Sequence, residues 1–258
     1  MRTTNLISRE KLEHIARSKL GYTLQDAEKD YFLAIVMKIV SESKLSDSLV
    51  FKGGTSIYHC YLDQYRFSED LDFTSLDKNI SLEDIKNLFA QYDIFEIKKT
   101  YKTNFSLKIE QLKYEGVLET ANSIKFEVDK FQNVVLPAKK EKYKNIWGLD
   151  FSVNVMDSVE ICAEKIRACN DRFRYRDFYD LYMMTTGLDI KTEKYLKLLP
   201  KKEIRHDVNK DRILRNLNLA LDEVSKSGDT VEYKKNVAID KLRNFFENLA
   251  IPSLKSNI

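Results

Sequence analysis

Asp70-Leu71-Asp72-Phe73 alternates acid with apolar residue by residue. An extended strand turns successive side chains to opposite faces, so Leu71 and Phe73 point one way and both aspartates the other. One side faces a core and the other carries two carboxylates next to one another. Around this strand the pattern changes period. From Ser8 to about Ser43 apolar residues recur at spacings of three and four (Leu12, Ile15, Ala16; then Phe32, Ile35, Val36, Ile39), which predicts two helices separated at Gly21-Tyr22. A further helix is expected to start at Gly53-Gly54 and run through Ile57, Tyr58 and Tyr61. Ser81 to Tyr92 reads as a helix capped by Ser81, with Leu82, Ile85, Leu88 and Phe89 buried.

Alternation returns at Phe105, Leu107 and Ile109, and again at Ile124, Phe126 and Val128, the latter leaving Lys125, Glu127 and Asp129 on the opposite face. Strands interleaved with helices give a mixed or antiparallel sheet with helices packed on it, an α+β domain over residues 1–156. Beyond Asp157 the pattern is helical to the end, with breaks near Gly187, Pro200 and Gly228, and residues 157–258 are read as a helical domain.

Composition narrows the function classes. The 258 residues are 43% hydrophobic with only 7 Gly and 3 Pro, enough for a real core and too few breakers for long tethers. The 43 basic and 40 acidic residues nearly cancel, so net charge does not mark a nucleic-acid binder. Cys60, Cys162 and Cys169 are odd in number and lack C-x-x-C spacing, which argues against a disulfide framework or zinc site and for a reducing, cytoplasmic setting. The apolar run Tyr31 to Met37 is too short to span a bilayer, so no membrane partner is expected. His14, His59 and His206 are scattered and suggest no histidine chemistry.

The chemistry rests on carboxylates and glycines. Aspartates at i and i+2 of a strand set two hard oxygen ligands close enough to share one or two Mg²⁺ ions, whose open positions suit phosphate and water. A third carboxylate from a neighbouring strand would complete such a site; Glu127 is the first choice and Asp129, on the same face, the second. Gly53-Gly54 lets backbone amides approach a phosphate without a Cβ in the way, and Thr55 and Ser56 add hydroxyl donors. Together these imply an NTP substrate and in-line displacement at phosphorus.

The stretches Phe51-Lys52-Gly53-Gly54-Thr55 and Arg66-Phe67-Ser68-Glu69-Asp70-Leu71-Asp72-Phe73 resemble the AbiEii/AbiGii toxin family of nucleotidyltransferases, relatives of the MenT toxins in the DNA polymerase β-like superfamily. Glu160, Lys165, Ile166, Ala168, Arg172 and Arg176-Asp177-Phe178-Tyr179-Asp180-Leu181 resemble the family's second block, so the likeness covers about residues 30 to 185. It implies a polymerase β-like mixed sheet followed by a helical lobe. It makes Gly53, Gly54, Thr55 and Ser56 phosphate-binding, Asp70 and Asp72 metal-binding, Lys165 a nucleotide-phosphate contact and Asp177 a downstream catalytic acid. It also implies a type IV toxin–antitoxin role with a cognate antitoxin, and an RNA acceptor such as a tRNA 3′ end. The fifteen residues between Gly54 and Asp70 exceed the general superfamily spacing and agree with this family's own.

Blander readings stand beside these. Lys165 reads as a solvated lysine beside an apolar stripe, and Arg176 with Asp180 as a surface ion pair. Lys139, Lys140, Lys142 and Lys144, and Lys191, Lys194, Lys197, Lys201, Lys202 and Arg205, read as solvated basic stretches. A GTP-binding module without turnover and a metal-dependent nuclease are the rival functions.

Overall fold

The computed structural model describes residues 2–63, 65–227, 231 and 233–257. The chain divides into two compact units, each built from several stretches: residues 1–55, 69–131 and 139–155 form the first, and 56–68, 132–138 and 156–258 the second. The break expected near Gly228 lies outside the described residues.

The first unit is a seven-stranded mixed sheet with helices. Its strands are β1 (Leu49–Lys52), β2 (Asp70–Ser75), β3 (Phe95–Lys102), β4 (Ser106–Tyr114), β5 (Asn122–Asp129), β6 (Lys139–Lys142) and β7 (Ser152–Val155), in the order β3-β4-β5-β2-β1-β7-β6. The β2–β5 and β1–β7 pairs are parallel, and the remaining pairs antiparallel. Phe51, Leu71, Phe73, Leu107, Ile109, Phe126 and Val128 bury the inner face, as the alternation requires. Phe105, expected within its strand, precedes β4 and is exposed.

The N-terminal helices α1 (Arg9–Ile15) and α2 (Leu24–Ser41) are separated by a π-helical turn over Ala16–Leu20, which ends where Gly21 takes a left-handed φ of 65°. Helix α2 is buried over most of its circumference and lies against β5 and β7; Phe32 stacks on Tyr114 of β4 with ring centroids 3.9 Å apart. Burying one such ring contributes on the order of 2 kcal/mol. The short helix α3 (Gly53–Ser56) opens directly from β1, and within the first unit α4 (Leu82–Phe89) begins at a capping box in which Ser81 and Asp84 satisfy one another's backbone amides.

The second unit is helical: α5 (Ser158–Asp171), α6 (Tyr175–Gly187), α7 (Thr192–Leu198), α8 (Lys210–Ser227) and α9 (Ile239–Asn248). Residues 57–61, a π-helical turn, pack here against α6. Segment 132–138 is fixed by Glu160 of α5, whose carboxylate accepts the backbone N–H groups of Val135 and Leu136, both at 2.8 Å. Lys202, expected on a solvated surface, is instead fully buried, 2.7 Å from Glu160 and 2.9 Å from Glu164. A buried carboxylate that already holds two amides needs a buried cation, and Lys202 supplies it. Cys60, Cys162 and Cys169 are buried free thiols. Among the described residues no helix is long and apolar enough to cross a membrane.

Candidate active site

In the first unit Asp72 stands at the centre of a cross-strand row. Lys52 of β1 lies opposite it on one side and Glu127 of β5 on the other; Glu127 is opposed by Lys108 of β4, and Lys108 by Tyr101 of β3. Asp70 lies opposite Lys125 in the same register. Directly opposed residues share a face, so the sheet aligns a lysine, the central aspartate, a glutamate, a lysine and a tyrosine across five strands.

The glycine turn abuts this row. Gly53 has φ 80°, and a Cβ placed there would fall 2.7 Å from Asp72 Oδ2. Only glycine permits both the dihedral and the approach. Thr55, buried, donates its hydroxyl hydrogen to the Asp70 carbonyl oxygen, which staples the turn to β2. The hydroxyl is committed to that bond, so a phosphate would meet the turn through backbone amides.

Neither Asp70 nor Asp72 has a side-chain ion pair or hydrogen bond among the described residues. Burial first, then the charges of Asp70 and Glu127, push the Asp72 carboxyl up to about 6, against the weaker opposing pull of Lys52 and Lys125. The other acids are differently placed. Glu127 lies 3.1 Å from Lys108 and 3.6 Å from Lys125, and Asp129 3.4 Å from Lys52. Among the described residues no three acidic, histidine or cysteine side chains are gathered closely enough to form a complete metal cage. The Asp70–Asp72 pair still fits a hard divalent cation: two oxygen donors, mutually repelling, with no counter-charge bonded to either.

The second unit holds a different cluster. Lys165 of α5 is 8% exposed, not the solvated lysine of the blander reading, and its Nζ lies 2.8 Å from Asp177 Oδ1 and 2.6 Å from Asp180 Oδ2. Arg172 Nε donates to Asp177 Oδ2 at 2.7 Å. Arg66 grips Asp180 with two bonds, Nε to Oδ1 at 2.6 Å and Nη2 to Oδ2 at 2.7 Å, and the Tyr65 hydroxyl donates to Oδ1 at 2.8 Å. Asp180 is therefore the buried partner of Arg66 and Lys165, not of Arg176. Burial alone would lower the Lys165 pKa; the charges of Asp177 and Asp180 outweigh it and raise the pKa. Burial alone would raise Asp177, but Lys165 and Arg172 hold it well below the usual carboxylate range. Three cations and two anions leave a local surplus of one positive charge.

The structure thus groups Gly53, Gly54, Asp70, Asp72 and Glu127 in the first unit, and Lys165 with Asp177 in the second; buried Ser56 also falls in the second. Reading the sequence missed the parts of Lys52, Lys108 and Arg66. Arg66 carried one signal, its place just ahead of the acidic strand.

The chain thus sets an acid pair beside a glycine turn on a mixed sheet, and solved structures share its fold. MenT4, a nucleotidyltransferase toxin from Mycobacterium tuberculosis H37Rv, aligns over 92% of this chain and 90% of its own with a TM-score of 0.58 and 19% identity. JHP933 from Helicobacter pylori aligns over 88% and 91% with a TM-score of 0.56 and 17% identity. No curated protein sequence matches the chain. The family described as nucleotidyl transferase AbiEii toxin, type IV TA system, matches residues 35–254, and the chain belongs to it. That match runs well past residue 185, where the sequence had shown no further resemblance.

Proposed function

We propose that this AbiEii-family nucleotidyltransferase is Mg²⁺-dependent and moves a nucleoside monophosphate from an NTP to an acceptor hydroxyl, with an RNA 3′ end such as that of a tRNA as the acceptor. The observation that carries this reading is the bare Asp70–Asp72 pair set against the Gly53 turn. The acceptor oxygen bonds to the α-phosphorus, the bond from that phosphorus to the pyrophosphate oxygen breaks, and the hydroxyl proton passes to water. Asp70 and Asp72 would hold the ion, with Glu127 a further ligand if it exchanges its lysines. Bound there, Mg²⁺ neutralises developing phosphate charge and acts as a Lewis acid.

The chain's own groups position the reactants. The Gly53-Gly54 amides hold the leaving phosphates, and Lys52 keeps a cation beside Asp72. Lys165 serves as the nucleotide-phosphate contact that the family resemblance implies, kept charged by Asp177 and Asp180. Asp177, so far below the usual range, is a poor proton acceptor and acts by orienting Lys165. A cytoplasmic toxin restrained by an antitoxin is the corresponding biological role.

The test is incubation with each labelled NTP, Mg²⁺ and total RNA. Label transfer to RNA that is lost in Asp70→Ala and on chelation supports the reading. No transfer to any acceptor, or transfer unchanged in Asp70→Ala, defeats it.

A further inference from the structure

Displacement at phosphorus is directional: the entering oxygen and the departing pyrophosphate oxygen lie roughly in line across the α-phosphorus. The glycine turn sits on the β1 flank of Asp72, so leaving phosphates held there fix that flank as the exit side. The acceptor must then come from the opposite flank, across β5, β4 and β3. This step rests on the transfer reading above.

That flank is chemically distinctive. Lys108 and Lys125 both lie beside Glu127, so two cations border the acid pair on this flank. Both lysine side chains are partly open to solvent. Tyr101, directly opposite Lys108 at the end of the row, is 55% exposed and makes no ring contact among the described residues. Strands lie about 4.8 Å apart, so Tyr101 stands three strands, about 14 Å, from Asp72. A strand face with cations near the reacting centre and an unstacked aromatic beyond them is how sheets hold single-stranded nucleic acid: phosphates on the lysines, a base on the ring.

We infer that the face running from Asp72 through Lys108 and Lys125 to Tyr101 is the acceptor track, and that it takes the single-stranded 3′ end of an RNA, with an unpaired base stacked on Tyr101 a few nucleotides from the reacting hydroxyl. A duplex, with its bases stacked on one another, would offer this ring no open base face.

Two measurements on the full chain test this. Fluorescence anisotropy of a labelled single-stranded RNA with a free 3′ hydroxyl, without NTP, reads binding alone. Initial rates against RNA and against NTP read turnover. Tyr101→Ala is expected to weaken RNA binding and raise KM for RNA roughly tenfold with KM for NTP unchanged, and Tyr101→Trp to restore both. Lys108→Ala is expected to reduce the salt dependence of RNA binding by about 0.7 in log–log slope. RNA binding and KM unaltered in Tyr101→Ala and Lys108→Ala overturn the track while leaving nucleotidyl transfer intact. Transfer to a protein and not to RNA overturns the occupant. Tyr101-dependent RNA binding with no transfer supports the track and removes the transfer reading instead.

Discussion

Two aspartate pairs on this chain have opposite electrostatic settings. Asp70 and Asp72 sit two apart on β2 with no cation bonded to either among the described residues, and burial and neighbouring acids push the Asp72 carboxyl up to about 6. Asp177 and Asp180 sit three apart on α6, are almost wholly buried, and are held below their ordinary range by Lys165, Arg66 and Arg172. The helical pair has its counter-charges bonded within the protein; the strand pair, among the described residues, has none bonded to it. Acidity at a site is therefore no guide to function until its counter-charges are counted.

The largest expected effect breaks the comparison at the strand. Asp72→Ala should lower nucleotidyl transfer by about a thousandfold or more, as loss of a metal-holding carboxylate does, with the fold intact by circular dichroism. Asp180→Ala should do the reverse, destabilising the helical unit by about 3–5 kcal/mol in denaturant melts because Arg66 and Lys165 are left buried without their partner.

The pH dependence sharpens the contrast. Asp72 has a raised folded pKa, so its favourable contribution is present below the unfolded value near 3.8 and is lost as pH rises through about 6. Asp72→Asn should therefore stabilise the metal-free protein at pH 8, by about 2 kcal/mol, with little effect at pH 4. Asp177 and Asp180 are lowered, so their contribution is full above the ordinary Asp range and is lost as pH falls below it; the Asn variants should be least stable relative to wild type near neutrality. The smallest effect is Gly53→Ala, expected to cost about 1–2 kcal/mol from the left-handed dihedral alone. Its melting temperature measures that strain, and weaker Mg²⁺ binding by calorimetry would report displacement of Asp72.

What was legible in the sequence was local. The alternation of Asp70 to Phe73 needed only the strand period, the Ser81 cap only its neighbours, and the α+β class only the order of periods. Register was not legible. That Lys108, Glu127, Asp72 and Lys52 share one row depends on strands far apart in the chain, and no local pattern encodes which residue faces which. For the same reason Lys202 looked like one more exposed lysine in a basic stretch. Its environment is decided by Glu160, 42 positions away, which the stretch itself does not reveal. Arg66 and Asp180 each stood in a motif, yet nothing near either showed that they were partners. The short strands β1, β6 and β7 carry too few residues for alternation to stand out.

The Arg66–Asp180 clasp joins positions 114 residues apart. At elongation rates of roughly 5–20 residues per second, the guanidinium is made about 6–23 s before its carboxylate. During that interval the helical unit has no native counter-ion for one of its deepest cations. A nascent chain therefore gains the clasp that ties residues 56–68 to the helices of its second unit only after Asp180 has been made.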